Sequence, residues 1–263
     1  MSKDRVAILT GGSGFLGESL VDGLAVNHSK IYIVDKENLK KNTKDTTNVE
    51  IVFNKIDISN ENDVIKFFEF IHKEKDIPLT LLNAAANNPD LTSEGMENSK
   101  GFEFFDTKSF SSSVTDSLLG TALMCREFVK FNANNLNDEK IILNIGSDLS
   151  IIAPDNRIYG KDQEGDQIFK PIEYSISKHG VVGLTKYLSV YLANKNYRVN
   201  TFSPTGVFND QNEEFVKKFS ETVPLNRMLD SQEISSHIAY LTSDDSSFLT
   251  GQNIVVDGGR SIW

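Results

Sequence analysis

Short runs of apolar, largely β-branched residues alternate along the chain with longer stretches whose apolar positions recur every three or four residues. The runs fall at 6–9, 31–34, 50–55, 79–83, 141–145, 198–202 and 253–256, and runs of that length and composition predict strands. Helical periodicity is clearest over 16–27, 61–74, 107–135, 173–195 and 231–243. Such alternation predicts an α/β fold in which seven parallel strands form a doubly wound sheet with helices on both faces. No internal repeat interrupts it, and 263 residues suffice for one compact domain spanning 1–263. The polar, lysine-rich segment 38–48 reads as a solvated loop or ragged helix.

Composition narrows the partners. A hydrophobic content of 39% with 17 glycines is ordinary for a soluble protein, and a net charge of -10 argues against nucleic acid or an anionic membrane as partner. A small-molecule substrate fits better. No apolar stretch approaches the length of a membrane span, and residues 1–5 lead straight into the first strand, so a cytoplasmic location is expected. The single Cys125 lies on the apolar face of a predicted helix and can form no internal disulfide. His28, His72, His179 and His237 are scattered without metal-ligand spacing, and no catalytic metal is expected.

The first apolar run feeds directly into Thr10-Gly-Gly-Ser-Gly-Phe-Leu-Gly17. A strand, a glycine turn and a helix in that order set backbone N–H groups and a helix N-terminus against a pyrophosphate. Gly11 and Gly12 suit positive φ, Gly14 admits a ligand close to the backbone, and Gly17 permits tight packing of the helix. Ser13, Phe15 and Leu16 complete the turn. The second strand ends in Asp35, where a dinucleotide fold places the carboxylate that bonds ribose hydroxyls. Its charge repels a 2′-phosphate, which favours NAD, while Lys36 beside it leaves NADP open as an alternative.

Further along, Tyr174 and Lys178 stand at i,i+4 on one face of a predicted helix. A cation beside a phenol favours the phenolate and makes a proton-transfer group out of a tyrosine. Taken with the stretches Lys55-Ile-Asp-Ile-Ser59, Asn83-Ala-Ala-Ala86, Asn144-Ile-Gly-Ser147 and Arg198-Val-Asn-Thr-Phe-Ser-Pro-Thr-Gly206, these motifs make the chain resemble the short-chain dehydrogenase/reductase family nearly end to end. The closing run 249–259 is similar to that family's last strand.

The resemblance implies a single-domain NAD(P)-binding Rossmann fold and hydride transfer between nicotinamide and an alcohol or carbonyl carbon. It implies that Asp57, followed by Ile58, meets the adenine amino group and that Asn83, Ala84 and Ala85 pack around the adenosine ribose. Pro204, Thr205, Gly206 and Val207 would lie along the nicotinamide. Tyr174 would exchange the proton, Lys178 would lower its pKa and hold the nicotinamide ribose, and Ser147 would orient the substrate oxygen. The long helices 107–135 and 173–195 resemble those that pair subunits in this family, which implies a homodimer or homotetramer.

Two departures from the family pattern bear on function. The position of the usual asparagine of the proton relay holds Ser117, with Asp116 beside it as a possible substitute. The 27 positions from Ser147 to Tyr174 are about twice the usual gap, which predicts a flap over about 148–172 carrying Arg157, Lys161 and Lys170. Residues 208–223 are expected to form a substrate-binding segment, either mobile or packed inward through Phe215 and Phe219. The flap, the 206–212 segment and the terminal Trp263 are similar to a subgroup associated with bacterial surface-carbohydrate and flagellin modification, which implies a sugar phosphate or nucleotide sugar as substrate. Two alternatives to a dehydrogenase stay open: a non-catalytic dinucleotide-binding regulator, and a redox-neutral nucleotide-sugar epimerase or dehydratase.

Overall fold

The computed structural model describes residues 5–39, 49–86, 99–161 and 165–263. Residues 40–48 of the polar segment and 162–164 of the flap lie outside the described residues. The strands are β1 (Arg5–Thr10), β2 (His28–Asp35), β3 (Glu50–Lys55), β4 (Pro78–Asn83), β5 (Lys140–Ile145), β6 (Tyr197–Pro204) and β7 (Asn253–Val256). All pair in parallel in the order β3-β2-β1-β4-β5-β6-β7. The order reverses between β1 and β4, and a doubly wound sheet binds ligands in the crevice outside the carboxyl ends at that reversal.

Strands β5 and β6 are buried along their whole length, so both sheet faces must be covered. One face packs under α1 (Gly17–Ala25) and α7 (Ser231–Leu241), where Leu20, Ile33, Phe202 and Ile238 share a core. The other packs under α2 (Glu61–Glu74), α4 (Gly120–Phe131) and α5 (Ile172–Tyr191), where Tyr32, Phe67, Phe128 and Ile142 meet. Local signals set the ends of these helices. Asn60 caps α2 by accepting from Asn62 and Asp63 N–H, and Asp230 and Glu233 form a capping box at the start of α7.

The periodic stretch 107–135 is not one helix. It divides into α3 (Thr107–Val114), a π-helical turn at Thr115–Leu119, and α4, which ends at Phe131. The early end has a physical cause: the Asn132 side-chain amide donates to the Phe128 and Pro78 carbonyls at 3.2 Å each, closing the last turn onto β4. The π turn packs on α5, since a Cβ at Gly180 would lie 2.7 Å from Leu118 Cδ2. Likewise α5 gives way at Tyr191 to a short 3-10 turn at Ala193–Lys195.

His28, wholly buried at the start of β2, donates from Nδ1 to the Leu24 carbonyl at 2.7 Å and accepts at Nε2 from Thr80 Oγ1 at 2.8 Å. Burial pushes its pKa down from 6.5 to about 4. The unfolded chain therefore takes up a proton that the folded chain refuses. This contribution is complete above pH 6.5 and falls away as the pH drops towards 4, amounting to about 3 kcal/mol. Urea midpoints measured across that range should fall with pH, and His28→Gln should flatten this part of the dependence.

Candidate active site

One end of the crevice is built by the turn between β1 and α1. Gly11 has φ +77°, and a Cβ there would lie 2.6 Å from the Ala85 backbone nitrogen; a Cβ at Gly17 would lie 1.9 Å from the Gly12 carbonyl. No side chain fits at either position. Tight bonds from Gly14 N to Gly11 O and from Gly17 N to Gly14 O, both 3.1 Å, shape the turn. Ser13 is buried within it, Gly14 and Phe15 are exposed at the edge, and Leu16 packs against the core below α1. Asp35 reaches this turn: its Oδ2 accepts the Ser13 N–H and its Oδ1 the Glu37 N–H, both at 2.9 Å. A carboxylate has about four acceptor positions, so capacity for two hydroxyls remains. A bare glycine backbone, a helix start and an acid held beside them fit a dinucleotide.

Lys36 does not stand alone beside Asp35. Its ammonium pairs with Asp116 at 2.9 Å. The pair occupies Asp116 near the end of β2, which speaks against Asp116 substituting in a proton relay. Ser117 is buried on the π turn that packs against α5, and its carbonyl accepts the Thr121 hydroxyl at 2.7 Å. After β3, Asp57 Oδ1 accepts both N–H and Oγ of Ser59, at 2.9 and 2.7 Å, with Ile58 buried beside it.

Asn83 faces inward. Its amide donates to Asn144 Oδ1 at 2.9 Å and to Cys125 Sγ at 3.3 Å, while Asn144 donates to Thr185 and Thr201 donates to Thr185 at 2.8 and 2.7 Å. This buried polar chain ties β4, β5, β6 and α5 together. At the end of β4 it is the backbone of Ala84 and Ala85, held by Thr10 Oγ1 at 3.2 Å, that borders the glycine turn. Burial also pushes the Cys125 thiol up to about 12, an inert state at neutral pH.

The candidate residues Ser147, Tyr174 and Lys178 meet where β5 ends and α5 begins. Ser147 is buried in the turn after β5, and Tyr174 and Lys178 lie on the first turns of α5. Lys178 Nζ donates to the Ile145 carbonyl at 2.9 Å and lies 5.7 Å from the Tyr174 ring centre. Burial pushes the Tyr174 phenol up to about 12; the Ser147 hydroxyl beside it works against that rise, and the Asp148 charge adds to it. The expectation that Lys178 lowers this pKa is thus outweighed in the protein alone, where loss of water around the phenol dominates. Burial likewise holds Lys178 down at about 8, with Lys170 nearby contributing.

The described residues of the flap are tied together by their own hydrogen bonds. Gln167 Nε2 donates to the Asn156, Gly160 and Ile168 carbonyls at 2.8 to 2.9 Å, and Lys170 N–H donates to Asn156 Oδ1 at 2.9 Å. This loop delivers Lys170 Nζ to 4.1 Å from the Tyr174 ring centre, with its pKa held at about 8 by burial. Arg157 instead pairs outward with Asp155 at 2.7 Å, and Lys161 is exposed. In the 208–223 segment, α6 (Glu213–Ser220) turns Phe219 inward beside Ile158, Val223 and Met228, with Phe215 and Tyr159 packed around them. Flap and segment therefore share one apolar cluster. Pro204 closes β6, and Thr205, Gly206 and Val207 continue along the carboxyl edge.

Two residues at this site have no local signal in the sequence. Asp148 and Arg260 form a buried ion pair at 2.6 Å, although 112 positions separate them. Only an acid directly after Ser147 and an arginine directly after a glycine pair hint at it.

Comparison with known proteins identifies the fold and the family. The enoyl-(acyl carrier protein) reductase family profile matches residues 17–261. Among curated proteins, carbonyl reductase family member 4 of Danio rerio is 28% identical over 98% of both chains. Post-translational flagellin modification protein A of Campylobacter coli is 34% identical over 53% of this chain and 52% of its own length. A crystal structure of a short-chain dehydrogenase from Leptospira borgpetersenii serovar Hardjo-bovis with bound NAD+ is 28% identical, covers 99% of this chain and 94% of its own, and has a TM-score of 0.85. The protein belongs to the short-chain dehydrogenase/reductase family and is an NAD(P)-dependent oxidoreductase.

Proposed function

We propose that the protein is an NAD-dependent dehydrogenase acting on an alcohol or carbonyl carbon of a sugar phosphate or nucleotide sugar. The observation that carries this reading is the convergence of Ser147, Tyr174, Lys178 and Lys170 at the carboxyl edge of β5. Preference for NAD is supported by Asp35 and Glu37 around the glycine turn and by the engagement of Lys36 with Asp116, which leaves little positive charge for a 2′-phosphate. On this reading the glycine turn and the start of α1 take the pyrophosphate, Asp35 the adenosine ribose, Asp57 and Ile58 the adenine, and residues 204–207 the nicotinamide. The bound dinucleotide supplies or accepts the hydride.

The chain's own residues handle the proton and the fit. Tyr174 exchanges the proton with the substrate oxygen, Ser147 orients that oxygen, and Lys178 favours the phenolate and bonds the nicotinamide ribose. Ser117 takes the relay position on the π turn. Lys170 brings a second ammonium to the phenol from the flap, and a half-buried ammonium suits a phosphate on the substrate. The half-length likeness to a protein named for flagellin modification accords with that substrate class. The flap over 148–172 and the 208–223 segment, joined by their common apolar cluster, form the wall of the substrate pocket. A homodimer or homotetramer is supported by the apolar side chains that α5 leaves exposed, Ile176, Tyr187, Val190 and Tyr191.

Fluorescence titration should show NADH binding at least about tenfold more tightly than NADPH, and Tyr174→Phe should retain NADH binding while losing turnover by about a hundredfold or more. Turnover is read by nicotinamide absorbance against sugar phosphates, nucleotide sugars and simple alcohols. Equal loss of binding and turnover in Tyr174→Phe would sink the assignment of that residue. For a phosphorylated substrate, Lys170→Met should raise KM by about tenfold and leave KM for an uncharged alcohol nearly unchanged. An equal effect on both substrates would refute phosphate recognition by Lys170.

A further inference from the structure

Ser147 is held from two directions. Its Oγ donates to Asp148 Oδ1 at 2.9 Å and accepts the Leu149 N–H at 3.2 Å. A hydroxyl has one proton and two acceptor positions, so one acceptor position remains, beside the Tyr174 phenol. The other carboxylate oxygen of Asp148 accepts Thr205 Oγ1 at 2.7 Å and Arg260 Nη1 at 2.6 Å. Arg260 also donates from Nε to Thr222 Oγ1 at 3.1 Å, and its guanidinium lies 4.8 Å from the centre of the Phe219 ring. Both charged side chains are almost fully enclosed, 3% exposed for Asp148 and 5% for Arg260. A carboxylate so placed needs its cation, because an uncompensated buried charge is strongly disfavoured.

We propose that Asp148 and Arg260 are a positioning pair for the reaction, with Asp148 the resting acceptor of the Ser147 proton and Arg260 the cation that balances and anchors Asp148. The inference rests on the reading of Ser147 and Tyr174 as reacting groups. At rest the Ser147 hydroxyl donates to Asp148, which leaves its free acceptor position to the Tyr174 hydroxyl. Once Tyr174 has given its proton to the substrate oxygen, the Ser147 hydroxyl turns to the phenolate. Asp148 then keeps as donors the Leu149 N–H, which its Oδ1 accepts at 2.8 Å, Thr205 and Arg260. Arg260 joins this arrangement to the substrate-binding segment through Thr222 and Phe219, so the position of α6 and the state of Ser147 are linked.

The charges around Tyr174 make the pair measurable. Lys170 and Tyr159 face it from the flap, Lys178 from α5 and Asp148 from the turn after β5; Arg260 acts on Tyr159 and Asp155 as well as on Asp148. Asp148 pushes the Tyr174 pKa up. Removing the Asp148 charge should therefore favour the phenolate, and removing Arg260 should disfavour it by leaving Asp148 unbalanced. A simple loss of packing would move both variants the same way.

The test is NMR of the full chain labelled with [13Cζ]tyrosine, the Tyr174 resonance being identified by its loss in Tyr174→Phe. At about pH 11 the phenolate fraction should be about threefold higher in Asp148→Asn and about threefold lower in Arg260→Gln, with Arg260→Lys close to wild type. Shifts in the same direction, or none, overturn the proposal. If Asp148→Asn does not fold, Arg260→Gln against Arg260→Lys decides: a lower fraction in the glutamine variant alone supports the pair, and equal fractions reject it. The readout needs neither substrate nor turnover, so an inactive wild-type protein would count against the proposed dehydrogenase without altering this result.

Discussion

A parallel sheet has to be covered on both faces, and that requirement shapes everything else in this protein. Strands β5 and β6 are buried end to end, so their side chains are committed to the two cores under α1 and α7 on one side and α2, α4 and α5 on the other. Chemistry is left to the carboxyl edge, where the strands stop and the connections begin. Because every strand runs the same way, the edge gathers residues from six connections: the glycine turn, Asp35, Asp57, Ala84 and Ala85, Ser147, and Thr205. The buried chain from Asn83 through Asn144 and Thr185 to Thr201 keeps the central strands and α5 in register. That register places Tyr174 and Lys178 opposite the end of β5.

Burial of this edge sets the electrostatics. The same loss of water drives the Tyr174 phenol up and the Lys178 and Lys170 ammoniums down. Burial makes the charged form of each group less favourable than it is in water. Asp148 would be an uncompensated buried charge without Arg260. The ion pair anchors the carboxylate beside Ser147.

The flap and α6 complete the enclosure through contacts that neither makes alone. Ile158 and Tyr159 from the flap pack with Phe215, Phe219 and Val223, and Phe219 in turn lies under the Arg260 guanidinium. The flap, α6, Arg260 and Ser147 thus share one set of contacts.

Much of this was legible in the sequence, for reasons tied to particular residues. All seven strands follow from short apolar-rich runs, and the glycine turn follows from backbone geometry that only Gly11 and Gly17 tolerate. The i,i+4 spacing of Tyr174 and Lys178 determined their common face, and the long gap after Ser147 determined that additional chain lies between β5 and α5. Only the tertiary structure decided that Lys36 is occupied by Asp116, that the 107–135 helix carries a π turn at Ser117, that the Asn83 side chain turns inward, and that Lys170 rather than Arg157 reaches the phenol. The pairing of Asp148 with Arg260 belongs with these. Local patterns report which face of an element is buried; which charges meet depends on distant segments brought together by the sheet, and no spacing along the chain records that.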